Sequence, residues 1–405
     1  MAGRGRGTGT VLSVLCVLLA GCGGHPAPDP ARDDVQRVLD RRAEAVLERD
    51  EAAYRGTVAP AAGGGADRPA TGTAEFARLR ELPLASWAYR LTGFARSGDR
   101  ATAEAELSYR VRGYDRAPAT AERALTLTHD DGTWYVASDE PAPEAAEQLW
   151  EQGAVRAVRG RHSLVLGVGR TEAALRVHAD AADRAVPAVS EAWGDDWAGR
   201  VVVLVPGSLE EMAALLGAPA AAYRGIAAVT TGQAGGSERA PADRIVVNPD
   251  AYGELGAFGG QVVLTHETAH VATRDRTTAA TPLWLSEGYA DWAAYRTTGR
   301  DADRIAPELQ REVREGRVPH ALPEDADFAF GGDATALAVA YEGGWLACRM
   351  IAERWGEDGL NAFYRAVGDH GERAGAVEGA LREVLGTTPR EFTGEWREYL
   401  RAQLG

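Results

Sequence analysis

The sequence predicts an α+β protein of two domains. The first is a helix followed by a curved antiparallel sheet; the second is a small mixed sheet followed by a mainly helical region. Three observations predict this. Residues 33–140 carry one long segment of helical period and then several of period two. Residues 155–248 mix short apolar runs with amphipathic helical ones. Beyond that, almost every periodic segment is helical. With 405 residues, 45% of them hydrophobic, the chain can bury two cores.

Residues 33–54 read as one helix, with Val35, Val38, Leu39, Ala43, Val46 and Leu47 on one side. A Gly/Ala-rich break follows at 61–66. Strand alternations come next: Trp87, Tyr89, Leu91; Ala103, Ala105, Leu107, Tyr109, Val111; Leu125, Leu127; and Trp134-Tyr135-Val136 after an Asp-Asp-Gly turn. No cluster of ionisable residues marks a pocket in this part, which suggests a structural or positioning role. Residues 141–154 read as the linker. In the second domain, 162–168, 201–205, 225–230 and 244–248 read as strands, and 172–193 and 209–216 as helices. Residues 261–274, a segment opened by Pro282, and 336–355, 360–367 and 389–403 read as helices. An irregular stretch, 322–332, could cover a site. His178 falls on a polar helical face.

The N-terminus carries Arg4 and Arg6 ahead of an apolar run, residues 11–20, too short to span a bilayer as a mature helix. Residues 1–21 therefore read as a signal peptide. Leu19-Ala20-Gly21-Cys22 resembles a bacterial lipobox, which implies a diacylated Cys22 and a tether over 22–32. Lipid would hold the protein on the outer face of the cytoplasmic membrane. The alternative is a signal peptide cleaved without lipidation. Cys16 leaves with the signal, so only Cys348 remains in the folded part; it reads as a small buried hydrophobe. The net charge of −15 argues against nucleic acid and against a polybasic membrane patch. All 44 basic residues are arginine, which looks like base-composition bias and carries no functional reading.

The chemistry is concentrated in His266-Glu267-Thr268-Ala269-His270. Two histidines four apart share one helical face, so both imidazoles can reach one metal ion. The glutamate between them projects beside the metal, where a base for a bound water would sit. Downstream comes Leu283-Trp284-Leu285-Ser286-Glu287-Gly288-Tyr289-Ala290-Asp291-Trp292. A catalytic zinc site has three protein ligands and an open position, and Glu287 can be the third. Asp291 shares its face and can accept the second N–H of a ligand histidine, expected to be His266.

These residues resemble the gluzincin clan of metallopeptidases, with thermolysin and the M1-type aminopeptidases as familiar members and the bacterial peptidase MA-like metallohydrolases as the closest group. A second block, Ala340-Tyr341-Glu342-Gly343-Gly344-Trp345, is similar to the aminopeptidase segment whose tyrosine stabilises the oxyanion. The resemblance implies a thermolysin-like domain over 155–405, one Zn²⁺ held by His266, His270 and Glu287, Glu267 as base and Tyr341 as oxyanion donor. His320 is a second candidate donor. Residues 245–248 stand where the clan has an edge strand that pairs with substrate; an ordinary inner strand is the other reading. Residues 33–140 resemble the NTF2-like α+β domain by pattern alone.

There are departures from the clan. Sixteen residues separate His270 from Glu287, fewer than in the aminopeptidases or thermolysin. The segment that binds a substrate's free amino terminus is absent, and Gly343 stands where a lysine is usual. The expectation is a lipid-anchored zinc peptidase acting on peptide or protein substrates, with no support for exopeptidase specificity. The alternative is a non-catalytic lipoprotein that uses the same fold as a binding or assembly scaffold.

Overall fold

The computed structural model describes residues 29–60, 70–232, 241–329 and 333–405. The signal segment 1–21 and Cys22 lie outside the described residues. Helix α1 (Pro30–Glu48) starts with proline in its first turn and Asp29 accepting from Ala31 N–H. Val35, Val38, Leu39, Ala43 and Val46 are buried, while Leu47 is 39% exposed. The 33–54 segment is not one helix. Arg49 adopts a left-handed φ of 60° that ends α1, and Asp50 caps α2 (Glu51–Arg55) by accepting from Ala53 N–H. An aspartate that bonds the backbone locally favours such a restart over continuation.

After α3 (Ala70–Leu79), strands β1 (Leu84–Ser97), β2 (Arg100–Val111), β3 (Ala119–Asp130) and β4 (Thr133–Pro141) form an antiparallel sheet in sequence order. Burial alternates along β2 and β3, as one solvated face requires. The β3–β4 turn has positive φ at both Asp131 (46°) and Gly132 (76°), which matches the twist of a tight hairpin.

Two expectations for this half are corrected. Helix α4 (Leu149–Gln152) lies inside 141–154, and its Leu149 and Trp150 are buried. Trp150 packs edge-on to Trp87 and Tyr109, at 5.2 and 5.0 Å between ring centres. One apolar cluster thus runs from Val35 and Trp87 through Trp150 to Leu164, Leu166 and Val202 of the next sheet. Within this segment Leu149 and Trp150 are core, because this apolar pair fills the gap between two sheets. Ionisable residues also do cluster here. Arg42 sits under the Tyr54 ring between Glu75 and Asp139; Arg123 donates to Asp139 Oδ1 (2.8 Å) and pairs with Glu151. They border a cavity of about 470 Å³. They are far apart in sequence, so no local pattern betrays them.

The second sheet comprises β5 (Val155–Arg159), β6 (Ser163–Val168), β7 (Val201–Val205), β8 (Ala228–Thr231) and β9 (Arg244–Val247), in the order β5-β6-β7-β9-β8. Strands β6, β7 and β9 are parallel; β5 and β8 run antiparallel at the two edges. The edge beside the helix that bears His266 and His270 is therefore β8, and β9 is an inner strand. The physical reason is legible afterwards: Ile245, Val246 and Val247 are at most 1% exposed, whereas Thr230 and Thr231 suit a half-open edge. Helices α5 (Glu172–Trp193) and α6 (Leu209–Leu216) connect the strands. Buried Asp115, from the β2–β3 connection, pairs with Arg244 of β9 at 2.8 Å and ties the two sheets together.

The rest is helical: α7 (Pro249–Glu254), α8 (Gly256–Thr273), α9 (Leu283–Tyr295), α10 (Ala302–Ile305), α11 (Pro307–Arg314), α12 (Ala334–Gly368), α13 (Ala376–Ala380) and α14 (Pro389–Leu404). Helix α12 bends at Gly356, whose φ is 81°. Helix α8 lies between α5 and α9, and α9 lies on α12. A buried polar relay locks these helices: Tyr289 Oη donates to Asn361 Oδ1, and Asn361 Nδ2 donates to the Ala192 carbonyl, both at 2.7 Å. Among the described residues no helix is long and apolar enough to cross a membrane.

His178 is not on a free polar face. Tyr252 of α7 folds over it, with 4.7 Å between ring centres, and its Nδ1 is buried without a hydrogen-bond partner. Burial, aided by Arg170, pushes its pKa down to about 4. The folded state therefore holds His178 neutral. Its contribution to stability is full above the unfolded pKa of about 6.5 and is lost as pH falls toward 4. Denaturant unfolding of His178→Gln should show a flatter pH dependence between 6.5 and 4 than the parent, by about 1–3 kcal/mol. Superimposable parent and variant curves would refute this.

Candidate metal centre

Helix α8 presents His266 and His270 on one face, one turn apart, with Glu267 beside them. The chain then reverses through 274–282. Thr277 and Thr278 hold that reversal, through a 2.7 Å hydroxyl contact to Tyr364 Oη and a hydrogen bond to the Gly368 carbonyl. Helix α9 follows and returns Glu287 to the two imidazoles. His266 Nε2 lies 3.0 Å from His270 Nε2, 3.3 Å from Glu287 Oε2, and the His270–Glu287 distance is 3.4 Å.

These three distances match those between the ligands of one metal ion. A tetrahedral zinc ion with bonds of about 2.05 Å keeps its ligands about 3.3 Å apart. The donor set, two imidazoles and one carboxylate, is also the chemistry of an open three-ligand zinc site. Among the described residues this is the one group of three or more His, Cys, Asp or Glu that could hold a metal ion. Asp291 Oδ1 lies 2.8 Å from His266 Nδ1. A carboxylate there accepts the Nδ1–H and leaves the Nε2 lone pair facing the other donors.

The close approach of α9 and α12 depends on two glycines. A Cβ on Gly288 would stand 2.3 Å from the Gly344 carbonyl oxygen, and one on Gly344 would stand 2.7 Å from the Trp284 carbonyl oxygen. Neither helix could carry a side chain at the crossing. Tyr341 lies one turn before Gly344 and so comes to the site with its phenol toward Glu287, while its ring stacks edge-on against Phe328. Glu342 turns away and accepts from Glu308 and Leu309 N–H, capping α11. Beside the site, Asp291, Tyr295, Tyr341 and Trp345 line a cavity of about 310 Å³.

Electrostatics favour a cation among the donors. Burial opposes ionisation of Glu287, but the His270 and His266 imidazoles outweigh it and hold its pKa well below the carboxylate range. Burial also opposes a charge on His266, yet Asp291 and Glu287 raise its pKa well above the ordinary value. Tyr341 is pushed far up by burial and then by Glu287, Asp291 and Glu267, so it remains a phenol and a donor. Glu267 is 6% exposed, and Thr230 Oγ1 of β8 donates to its Oε2 at 2.6 Å. Sequence reasoning did not find Thr230, because no local motif links a strand threonine to a helix 37 residues on. His320 is exposed in the loop after α11. Cys348 is fully buried with its thiol pKa raised by burial, which suits packing and not nucleophilic attack.

No family model matches the chain, and no curated protein matches it. Similar solved structures include native yeast LTA4 hydrolase, with a TM-score of 0.38 and 14% identity over 69% of this chain and 44% of that one. A two-domain M1 zinc metallopeptidase variant bound to L-arginine gives 0.33 and 14% over 79% and 61%. An M1 zinc metallopeptidase variant from Deinococcus radiodurans gives 0.34 and 14% over 80% and 62%. The chain thus spans between 44% and 62% of the length of these proteins.

Gly288→Ala should force α9 off α12 and carry Glu287 with it. The expected result is a stability loss of about 1–3 kcal/mol in denaturant unfolding and weaker zinc binding by calorimetry. Parent-like zinc affinity in this variant would mean the crossing does not set the ligand geometry.

Proposed function

We propose that this chain is a zinc-dependent peptidase that hydrolyses peptide bonds with Glu267 as its base. The observation that carries this reading is the set of three donor atoms at 3.0–3.4 Å, with the non-ligand carboxylate of Glu267 on the helix that bears the two histidines. A structural zinc site needs four closing ligands and has no use for a spare base. His266, His270 and Glu287 would hold the ion, and Asp291 would fix the His266 tautomer. Bound there, zinc would act as a Lewis acid and lower the pKa of a water toward about 7.

The protein's own groups supply the rest. Glu267 accepts the proton of the attacking water and passes it to the departing nitrogen. The phenol of Tyr341 donates to the oxyanion that forms on the scissile carbonyl. Among the described residues no strand pairs with the outer side of β8, and an extended peptide would add there, a mode that tolerates many sequences. The N-terminal helix and sheet, read as an NTF2-like unit, would serve as a buttress through the shared core. Lipid on Cys22 would hold the protein outside the cell on the cytoplasmic membrane; mass spectrometry of the membrane-extracted protein tests this, and an unacylated N-terminus would rule it out.

The decisive measurement is turnover of a diverse peptide library, abolished by a chelator and restored by zinc. Glu267→Gln should keep its zinc and lose activity by about a hundredfold or more, whereas His266→Ala should lose both. Full activity in Glu267→Gln would sink the mechanism. A zinc-free, inactive parent would instead favour the scaffold reading.

A further inference from the structure

We infer that Thr230 is a positioning residue for Glu267: its hydroxyl engages one carboxylate oxygen and leaves the other to take the proton. The inference rests on the reading of Glu267 as the base. Thr230 Oγ1 is 2.6 Å from Glu267 Oε2 and 3.2 Å from the Glu267 carbonyl oxygen. A hydroxyl carries one proton, and the short contact to a charged acceptor takes it. With Oε2 so occupied, Oε1 keeps its full accepting capacity. The hydroxyl also abuts the turn of α8 that bears Glu267, so it is held against both ends of that residue.

The anchor is independent of α8. Thr230 sits on β8 opposite Ile245 of β9, and Thr231 is opposite Arg244. Thr231 Oγ1 accepts from Arg244 N–H at 3.2 Å, which pins the strand end from the side. The Arg244 guanidinium is in turn fixed by buried Asp115. The base is thus oriented from the same strand that offers its edge to a substrate backbone. A peptide paired along β8 and the free oxygen of Glu267 are held in one frame, which is what general-base catalysis needs.

The test compares Thr230→Val, which keeps the shape and removes the hydroxyl, with Thr230→Ser, which keeps the hydroxyl. Peptide turnover, zinc content and the dissociation constant of acetohydroxamate on zinc-loaded protein are measured for each. Acetohydroxamate chelates zinc and donates a proton to a neighbouring carboxylate, so it reports the pose of Glu267 without turnover. Thr230→Val should lose about ten- to hundredfold in kcat and a similar factor in acetohydroxamate affinity, with KM and zinc content as in the parent. Thr230→Ser should recover most of both. Parent-like kcat and acetohydroxamate affinity in Thr230→Val would overturn the inference, as would equal losses in both variants or loss of zinc. If the parent cleaves no peptide, the proposed function fails by itself. Acetohydroxamate then decides: weaker binding in Thr230→Val alone supports the positioning role, and equal binding overturns it. If such an inactive parent also binds no acetohydroxamate when loaded with zinc, both readings are overturned.

Discussion

Helix α9 crosses α12 with Gly288 against the Gly344 carbonyl and Gly344 against the Trp284 carbonyl, closer than any side chain allows. Everything at the site follows from this contact. It sets the depth at which Glu287 meets the imidazoles of α8, and it brings Tyr341 to the same place from α12. The residues that hold the crossing do not touch the donors themselves. Tyr289, Asn361 and the Ala192 carbonyl lock α9, α12 and α5 from behind through two 2.7 Å hydrogen bonds. Because these groups are buried, leaving any one unpaired costs more than the net value of the bond it loses. These bonds fix the three helices relative to one another without involving the donors, which is the condition for a preorganised site.

The charge arrangement has the same logic. Glu267, Glu287 and Asp291 converge in a partly buried place with only two imidazoles to answer them. Carboxylates so close repel unless a cation lies among them. Asp291 engages His266 from its far ring nitrogen, and Thr230 engages Glu267 from a strand. His266 Nε2, His270 Nε2 and Glu287 Oε2 therefore face one another across 3.0–3.4 Å. A divalent ion held there would relieve the repulsion and satisfy the donors together.

The N-terminal half contributes through shared core and not through a hinge. Trp150 bridges the two sheets, and the Asp115–Arg244 pair reaches β9, the strand next to the edge strand β8. Breaking a buried ion pair by removing one partner costs several kcal/mol, so this contact couples the position of β9 to the fold of the first sheet. The Arg42–Asp139–Arg123–Glu151 network fills the other end of that half with mutually paired charges.

The sequence by itself determined the donors and the elements that carry them. Histidines four apart on a helix must share a face, and an apolar helical period with glutamate and aspartate four apart must place both on another. Those are consequences of the 3.6-residue turn and need no tertiary information. The period-two segments fixed the first sheet for the same reason. The sequence did not determine which strand is the edge, because a short apolar run reads alike in an inner and an outer position until its partners are known. Nor did it reveal Thr230 beside Glu267, the charged network around Arg42, the burial of His178, or Trp150 as core. Each of these joins residues far apart in the chain, so only tertiary packing could decide them. Gly288 and Gly344 stand between the two cases: both lie in motifs visible in the sequence, yet only the crossing of α9 and α12 gives the reason that neither can carry a side chain.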